Sequence, residues 1–324
     1  MAKIFCIANQ KGGVGKTTTT VNLAAGLAKV GQRVLMIDLD PQGNATMGSG
    51  VDKRQLELSV YDVLLESASV AEARVHSERC GYDVLGANRE LAGAEVEMVA
   101  LDRREKRLRT ALAAVGAEYD FILIDCPPSL NLLTLNGLCA AHGVIVPMQC
   151  EYFALEGLTD LVNTIKQVHA NLNKNLQIVN LVRVMFDPRI TLQQQVSEQL
   201  KSHFGDKVFD TVIPRNVRLA EAPSYGLPGV VFDPSARGSQ AFVALASELV
   251  EKMPPASMFA PLSAASSPAA RARQAGKGEK LEKGEKTEQG DEGDEGGKGG
   301  KAQDAAGPGA GNAARPATST PESA

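Results

Sequence analysis

Residues 9–18 read NQKGGVGKTT and decide the fold of this chain. The short apolar run Ile4–Ala8 precedes them, and the helical pattern Thr17–Val30 follows at once. A strand, a glycine-rich turn and a helix N-terminus in this order form an anion site, because backbone N–H groups converge there and the helix dipole adds positive potential. A plain glycine-rich turn with a solvated lysine is the alternative. The strand and helix on either side favour a phosphate-binding loop.

The residue types in this loop suit a nucleoside triphosphate. Its three glycines let the backbone wrap closely around phosphate oxygens. We expect Lys16 to reach the β and γ phosphates and the Thr17 hydroxyl to bind Mg²⁺. The strict pattern G-x-x-x-x-G-K-[ST] fails, because Gln10 stands at its first glycine and a further lysine, Lys11, opens the loop. A lysine at the loop mouth can meet a phosphate on a neighbouring subunit, which would couple ATP to dimerisation.

Two carboxylates follow apolar runs elsewhere in the chain. Asp40 lies in the segment Leu35–Asn44, and Asp125 follows Phe121–Ile124. In open parallel sheets, ligands bind beyond the carboxyl ends of the strands, where these acids emerge. We expect Asp125 to hold the Mg²⁺ shell and Asp40 to orient the attacking water. Each could instead be a helix-capping or turn aspartate, but together with the loop they indicate one site.

The first 253 residues alternate short apolar runs with helical patterns, which indicates βαβ units. We therefore predict an α/β fold, a doubly wound and mostly parallel twisted sheet flanked by helices, as in P-loop NTPases. The predicted strands are Ile4–Ala8, Arg33–Leu39, Tyr82–Leu85, Phe121–Ile124, Val144–Pro147 and Gln177–Val184. The predicted helices are Thr17–Val30, Leu91–Val99, Arg103–Val115, Leu155–Leu172, Leu192–Phe204 and Ala236–Met253. Leu192, Val196, Leu200 and Phe204 predict an apolar stripe against the sheet.

Composition divides the chain into residues 1–253, one large domain, and a low-complexity tail, residues 254–324. From residue 261 onward the only large apolar side chains are Leu262 and Leu281. Such a segment cannot bury enough apolar surface to offset its ordering entropy, so we expect a disordered tail. The net charge is -4, with 34 basic against 38 acidic residues, which excludes a uniformly basic coat protein but not a local basic patch.

The five cysteines contain no C-x-x-C pair, which argues against a disulfide scaffold, a zinc finger and a thioredoxin-type site. No apolar run approaches the length of a membrane span, and no leader precedes the first strand, so we expect a soluble, cytoplasmic protein. The four histidines have no metal-ligand spacing and are expected to be structural. They are His76, His142, His169 and His203.

Four segments together resemble the ParA/Soj chromosome-partitioning ATPases, in the deviant Walker A class that includes MinD. These are Lys11–Thr18, Ile37–Asn44, Asp125–Pro128 and Val212–Tyr225, the last reading VIPRNVRLAEAPSY. The resemblance extends from Met1 to about Met253, and the last segment is similar to the Soj-type chromosomal branch in particular.

The resemblance implies an ATP sandwich dimer in which Lys11 crosses to the partner's nucleotide. Pro214 and Asn216 would lie against the adenine. The homodimer would bind double-stranded DNA without sequence preference on the nucleoid, and a ParB-type partner would trigger slow hydrolysis and release. Arg189 and Arg218 are the candidates for DNA phosphate contacts, with surface ion pairs to Asp187 and Glu221 as the alternative. The triphosphate would be cradled by Gly12, Gly13, Val14, Gly15, Lys16, Thr17 and Thr18.

The sequence departs from the resembled family at two positions. Arg183 interrupts the apolar run Leu181–Met185, and Pro188 replaces a small turn residue. Because a buried unpaired arginine is costly, we expect Arg183 to extend to solvent or to find a carboxylate. The basic run Asp102–Arg109 could add to a nucleic-acid or partner surface, but a solvated helix face is the favoured interpretation.

Other functions remain as alternatives. A MinD-like membrane-associated division-site ATPase would need a basic amphipathic C-terminal helix, and the apolar stripe of Ala236–Met253 is better explained by packing. An iron–sulfur carrier on the same fold would need interface cysteines. A small-molecule synthetase, such as an amidation enzyme, would need a substrate pocket that the sequence does not reveal. A transcriptional repressor would need a helix-turn-helix region N-terminal to the ATPase domain.

Overall fold

The computed structural model describes residues 1–152 and 154–252, and the predicted tail lies outside them. The strands are β1 (Lys3–Ile7), β2 (Val34–Asp38), β3 (Arg74–Ser77), β4 (Tyr82–Leu85), β5 (Phe121–Asp125), β6 (Gly143–Met148), β7 (Gln177–Phe186) and β8 (Val208–Pro214). In the described residues they form one eight-stranded sheet in the order β3-β4-β2-β5-β1-β6-β7-β8. Only β3 and β4 pair antiparallel within it.

Helices connect the strands and cover both faces of the sheet. They are α1 (Lys16–Lys29), α2 (Asn44–Gly48), α3 (Val60–Leu64), α4 (Val70–Ala73), α5 (Leu91–Glu97), α6 (Arg107–Leu112), α7 (Leu132–Ala140), α8 (Ala154–Asn171), α9 (Thr191–Phe204), α10 (Val217–Glu221), α11 (Gly229–Phe232) and α12 (Arg237–Lys252).

Successive strand residues enter two separate cores. Ile4 and Cys6 of β1 pack in the core that α7 and α8 close. Phe5 and Ile7 pack in the other, which α1 and α12 close. Because both faces are covered, the central strands are apolar without alternation, as buried parallel strands are. The predicted doubly wound α/β fold is confirmed.

Eight elements of the described structure are absent from the sequence predictions: the strands β3 and β8 and the helices α2, α3, α4, α7, α10 and α11. Five of these helices span only four or five residues. Strand β3 is short and half-exposed. Strand β8 has a mixed burial pattern and lacks a clean period of two. Helix α7 is apolar and buried almost all round, so it has no amphipathic stripe by which a helix is recognised.

Two predicted features are wrong in detail. Leu192 is 45% exposed, because it lies in the first turn of α9 beside exposed Ile190, and the buried stripe begins at Val196. The predicted helix Arg103–Val115 is shorter, since Arg103 has a φ of 53° and a 3₁₀ turn precedes α6.

Candidate functional site

The loop between β1 and α1 has the backbone of an anion site. Gly13 and Gly15 have φ angles of 73° and 78°, which a residue with a Cβ adopts only under strain. Gly15 is the N-cap residue of α1, so no side chain caps the first N–H groups of the helix, and the first turn carries no acidic residue. The helix N-terminus therefore presents its N–H groups and positive dipole end to the loop.

Lys16 lies inside this loop and is largely buried. Its Nζ donates to the Lys11 carbonyl at 3.1 Å. Burial lowers the pKa of Lys16, while the charges of Asp125 and Asp40 act in the opposite direction. The structure thus places an ammonium group within the loop, anchored by a loop carbonyl, where it can bind a strongly anionic ligand.

Asp125 at the end of β5 meets two hydroxyls of α1. Thr17 Oγ1 donates to Asp125 Oδ2 at 2.8 Å, and Thr20 Oγ1 donates to Asp125 Oδ1 at 2.7 Å. Burial raises the pKa of Asp125 to about 7, and the charge of Asp38 adds to the rise. A buried carboxylate beside a hydroxyl is an all-oxygen donor set of the kind that Mg²⁺ prefers. The pair Thr17 and Asp125 thus fits the predicted magnesium site.

The two acids after β2 have different surroundings. Asp38 is fully buried and accepts from the N–H and the hydroxyl of Thr46, both at 2.8 Å, and from the Asp40 N–H at 3.1 Å. Burial raises the pKa of Asp38 to about 6. Asp40 is partly exposed, and its Oδ1 accepts from the Gln42 N–H. Asp38 therefore shapes this segment, while Asp40 is accessible to a ligand; its catalytic role stays a prediction.

Lys11 lies at the mouth of the loop rather than inside it. Its Nζ is 2.6 Å from Glu151 Oε2, and both side chains are nearly half exposed. The loop entrance is further fixed by Asn9, whose Oδ1 accepts from the Lys11 N–H and whose Nδ2 donates to the Pro147 carbonyl. The loop thus carries one lysine within and one facing outward.

A cavity of about 160 Å³ adjoins the loop on the side of β8. Pro214 and Asn216 line it together with Gly15, Thr18 and Met185. Asn216 also caps α10, since its Oδ1 accepts from the N–H of the residue two positions on. The two residues predicted to contact adenine therefore lie beside the phosphate loop.

Both candidate DNA contacts are exposed and already ion-paired. The side chain of Arg189 is 87% exposed and binds Asp187 through two nitrogens, at 2.9 and 2.7 Å. These hydrogen bonds lower the pKa of Asp187 to about 2. Arg218 lies 2.9 Å from Glu221 and 3.3 Å from Asp233. The surface ion pairs proposed as the alternative are thus formed, and they leave both guanidinium groups accessible.

Comparison with known proteins identifies the family. A family model described as an AAA domain matches residues 2–178. The sporulation initiation inhibitor protein Soj of Bacillus subtilis is 52% identical over 249 residues, 77% of this chain and 98% of that protein. The chromosome partitioning protein ParA of Caulobacter vibrioides is 51% identical over 252 residues, 77% of this chain and 94% of that protein.

The chain belongs to the Soj/ParA family of chromosome-partitioning ATPases. It therefore has ATPase activity and a general role in chromosome partitioning. Among solved structures, a cobyrinic acid a,c-diamide synthase of Mycobacterium smegmatis with bound ATP analog and magnesium is 37% identical, with a TM-score of 0.68 over 78% of this chain and 95% of that one. The cell division ATPase MinD of Pyrococcus furiosus is 26% identical, with a TM-score of 0.65 over 78% and 100%. This fold thus binds nucleotide with Mg²⁺.

The expectation for Arg183 is wrong. In this Soj/ParA chain Arg183 is only 4% exposed, and no carboxylate among the described residues pairs with it. Its guanidinium donates to Ser197 Oγ at 2.9 Å and to the carbonyls of Phe209 and Asp210 at 2.7 and 2.9 Å. These bonds engage both terminal nitrogens of the guanidinium, whereas Nε is buried without a hydrogen-bond partner in the described structure. Burial lowers the pKa of this arginine. Pro188 keeps a role in the loop, since its carbonyl accepts from Gln194.

The basic run Asp102–Arg109 is only partly a solvated face. Arg103 is exposed, whereas the Arg107 side chain is 12% exposed and donates to the Leu64 carbonyl. Arg104 donates to the Val99 carbonyl. Part of the run therefore holds neighbouring segments in place.

The remaining polar groups have structural surroundings. His142 Nδ1 accepts from the Ile4 N–H at 3.0 Å, and burial lowers the pKa of His142 to about 4. All five cysteines are buried and unpaired. In residues 1–152 and 154–252 no cluster of three or more His, Cys, Asp or Glu side chains is placed to hold a metal, and no helix there is long and apolar enough to cross a membrane.

Proposed function

We propose that this chain is an ATP-dependent DNA-segregation switch. Its ATP-bound homodimer binds double-stranded DNA without sequence preference on the nucleoid, and a ParB-type partner stimulates slow ATP hydrolysis and release. The observation that carries the proposal is the outward position of Lys11. A lysine inside the loop already serves the phosphates in cis, so a second one at the mouth is available for the nucleotide of another copy.

The Lys11–Glu151 ion pair is compatible with that transfer. Both side chains are nearly half exposed, and exposed pairs contribute at most about 1 kcal/mol. A triphosphate carries several negative charges and accepts hydrogen bonds from an ammonium more strongly than one solvated carboxylate does. ATP on a second copy can therefore displace Glu151 at small free-energy cost.

The chain's residues divide the chemistry of hydrolysis among them. The Gly12–Thr18 backbone and Lys16 bind the phosphates, Pro214 and Asn216 contact the base, and Asp40 orients the attacking water. Thr17 and Asp125 are the residues that would hold Mg²⁺, which neutralises charge on the phosphates when bound. Phosphoryl transfer depends mainly on positioning and charge stabilisation, so a site completed by a second subunit stays slow until that subunit and a partner arrive.

Two alternatives have less support. The MinD-like function is supported by a fold likeness at 26% identity, and α12 buries Phe242, Leu245 and Leu249 in the core rather than presenting an apolar face. The synthetase function is supported by one solved synthetase structure that is 37% identical to this chain. The two partitioning proteins are more similar to it, at 51% and 52% identity.

Co-sedimentation with plasmid DNA tests the proposal. Wild type is expected to be retained with ATP and not with ADP or without nucleotide, whereas Lys16→Ala should not be retained in any of the three conditions. Lys29→Ala is the matched control, because Lys29 is an exposed lysine at the other end of α1. Retention that ignores the nucleotide would refute the switch, and retention insensitive to salt would refute phosphate contacts.

A further inference from the structure

Met185, near the end of β7, has a strained backbone. Its φ is 52°, in the left-handed region, where non-glycine residues are rare. The pairing of β7 with β8 loses register between Arg183 and Phe186, on either side of it. A residue in such a conformation persists only where its surroundings hold it there, and such residues cluster at sites that change state.

The surroundings that hold Met185 belong to the nucleotide site. Gln149 Nε2 donates to Met185 Sδ at 3.0 Å and lies 3.4 Å from the Gly13 carbonyl oxygen. A Cβ at Gly15 would lie 3.4 Å from Met185 Cε. Met185 also lines the cavity proposed for adenine. Met185 therefore lines the base cavity together with Gly15 and is linked to Gly13 of the phosphate loop through Gln149.

The chain that leaves Met185 leads directly to Arg189. The Asp187 N–H donates to Gln193 Oε1 at 2.7 Å. The Asp187 carboxylate accepts from the backbone N–H and the guanidinium of Arg189. Because these bonds make residues 187–189 a fixed unit, a backbone rotation at Met185 moves Arg189 as part of that unit.

We propose that Met185 is a positioning residue that couples nucleotide occupancy of the phosphate loop to the position of Arg189. This inference rests on the proposed function and explains how DNA binding becomes ATP-dependent. Nucleotide competes for the space that the Met185 side chain occupies. Its φ then returns to the extended region, β7 regains register with β8, and residues 187–189 turn with it. Such a two-state segment meets the physical requirement for coupling two sites.

Met185→Gly tests the coupling, because glycine adopts both φ regions freely and has no side chain to displace. We expect its affinity for a fluorescent ATP analogue to be at least that of wild type, because no side chain then competes with the nucleotide for the cavity. The gain in DNA affinity on adding ATP, measured by co-sedimentation, should fall at least about fivefold, the lower end of typical coupling factors. Glu66→Gly is the matched control: it relieves a φ of 63° at an exposed residue elsewhere without removing a positive charge, and it should keep the full gain.

Gln149→Ala provides a second variant, and it keeps the test decisive if Met185→Gly does not fold. It removes the side chain that links Met185 to Gly13, so it should also reduce the ATP-induced gain. An undiminished gain in the folded variants would overturn the inference. So would a parallel loss of ATP affinity, because Met185 would then be only a wall of the nucleotide cavity. A wild type without any ATP-induced gain would instead refute the proposed function itself.

Discussion

Thr20→Val removes a hydroxyl that bonds the carboxylate of the proposed magnesium site. Thr20 is fully buried, and its hydroxyl lies 2.7 Å from Asp125 Oδ1 and 3.0 Å from the Lys16 carbonyl. Valine has nearly the same shape but no hydroxyl. The substitution leaves Asp125 with Thr17 as its remaining hydroxyl partner, and Thr17 is itself expected to turn to the metal ion.

The size of the effect follows from the charge on Asp125. A hydrogen bond to a charged group contributes about 1.5–3 kcal/mol. Since about 1.4 kcal/mol corresponds to tenfold in affinity, we expect Mg²⁺ affinity to fall about 10- to 100-fold, as is typical when a partner of a metal ligand is removed. The pKa of Asp125, already about 7, should rise further, because the hydrogen bond from Thr20 favours the ionised form.

The assay is a Mg²⁺ titration of ATP hydrolysis, with Thr19→Val as the matched control. Thr19 is the neighbouring buried threonine, and its hydroxyl has no hydrogen-bond partner in the described structure. Thr20→Val should shift the Mg²⁺ midpoint upward, whereas Thr19→Val should not. Equal midpoints for the two variants would show that the Thr20 bond to Asp125 does not support the metal ion.

The same carboxyl predicts a pH dependence. At the proposed site Mg²⁺ would bind the ionised form of Asp125. Because the pKa of Asp125 is about 7, the fraction in this form increases as pH rises through neutrality. Mg²⁺ affinity should therefore increase between about pH 6 and about pH 8, and Thr20→Val should move this increase to higher pH. A Mg²⁺ midpoint constant across that range would contradict the raised pKa.

Two further substitutions have matched controls in the chain. Arg189→Ala should reduce the slope of log DNA affinity against log salt concentration by about one, the value expected when one cation no longer neutralises a phosphate. Arg54 is an exposed arginine that likewise pairs with an aspartate two residues earlier, so Arg54→Ala should leave the slope unchanged. Equal slopes for the two variants would show that Arg189 does not contact DNA phosphates. Gly137→Ala should lower the free energy of unfolding by about 1–3 kcal/mol, because its Cβ would lie 3.1 Å from Cys6 Sγ. Gly157 is a helical position where a Cβ would meet no atom within 4 Å, so Gly157→Ala should not lower the free energy of unfolding. An unchanged melting temperature for Gly137→Ala would show that neighbouring core side chains can move to make room for the methyl group.

The sequence was sufficient for the parts of the site that are local. The phosphate loop is contiguous, and its glycines and lysines predict an anion site without knowledge of the fold. Asp125 could be placed at the same edge because the carboxyl ends of parallel strands meet there. The register confirms this, since Ile7 pairs with Asp125 and Asp125 with Asp38.

Contacts between distant residues could not be predicted in this way. Glu151 is 140 positions from Lys11, and no motif marks it. The buried role of Asp38 depends on Thr46 folding back over it. The sequence predicts that Arg183 reaches solvent or finds a carboxylate, and only the structure shows that strand carbonyls bind its terminal nitrogens instead. Each depends on three-dimensional proximity that periodicity does not encode.

The central claim, that the active site is shared between two copies, is tested most directly by mixing two inactive variants. Lys11→Ala lacks the lysine proposed to cross to the other copy but keeps its own Asp40, whereas Asp40→Ala keeps Lys11 but lacks the carboxylate proposed to orient water. Each should hydrolyse little ATP alone. In a mixed dimer, Lys11 of the second variant completes the site of the first, so the mixture should hydrolyse ATP faster than the sum of its components. A mixture no faster than that sum, or full activity of Lys11→Ala alone, would contradict the shared site.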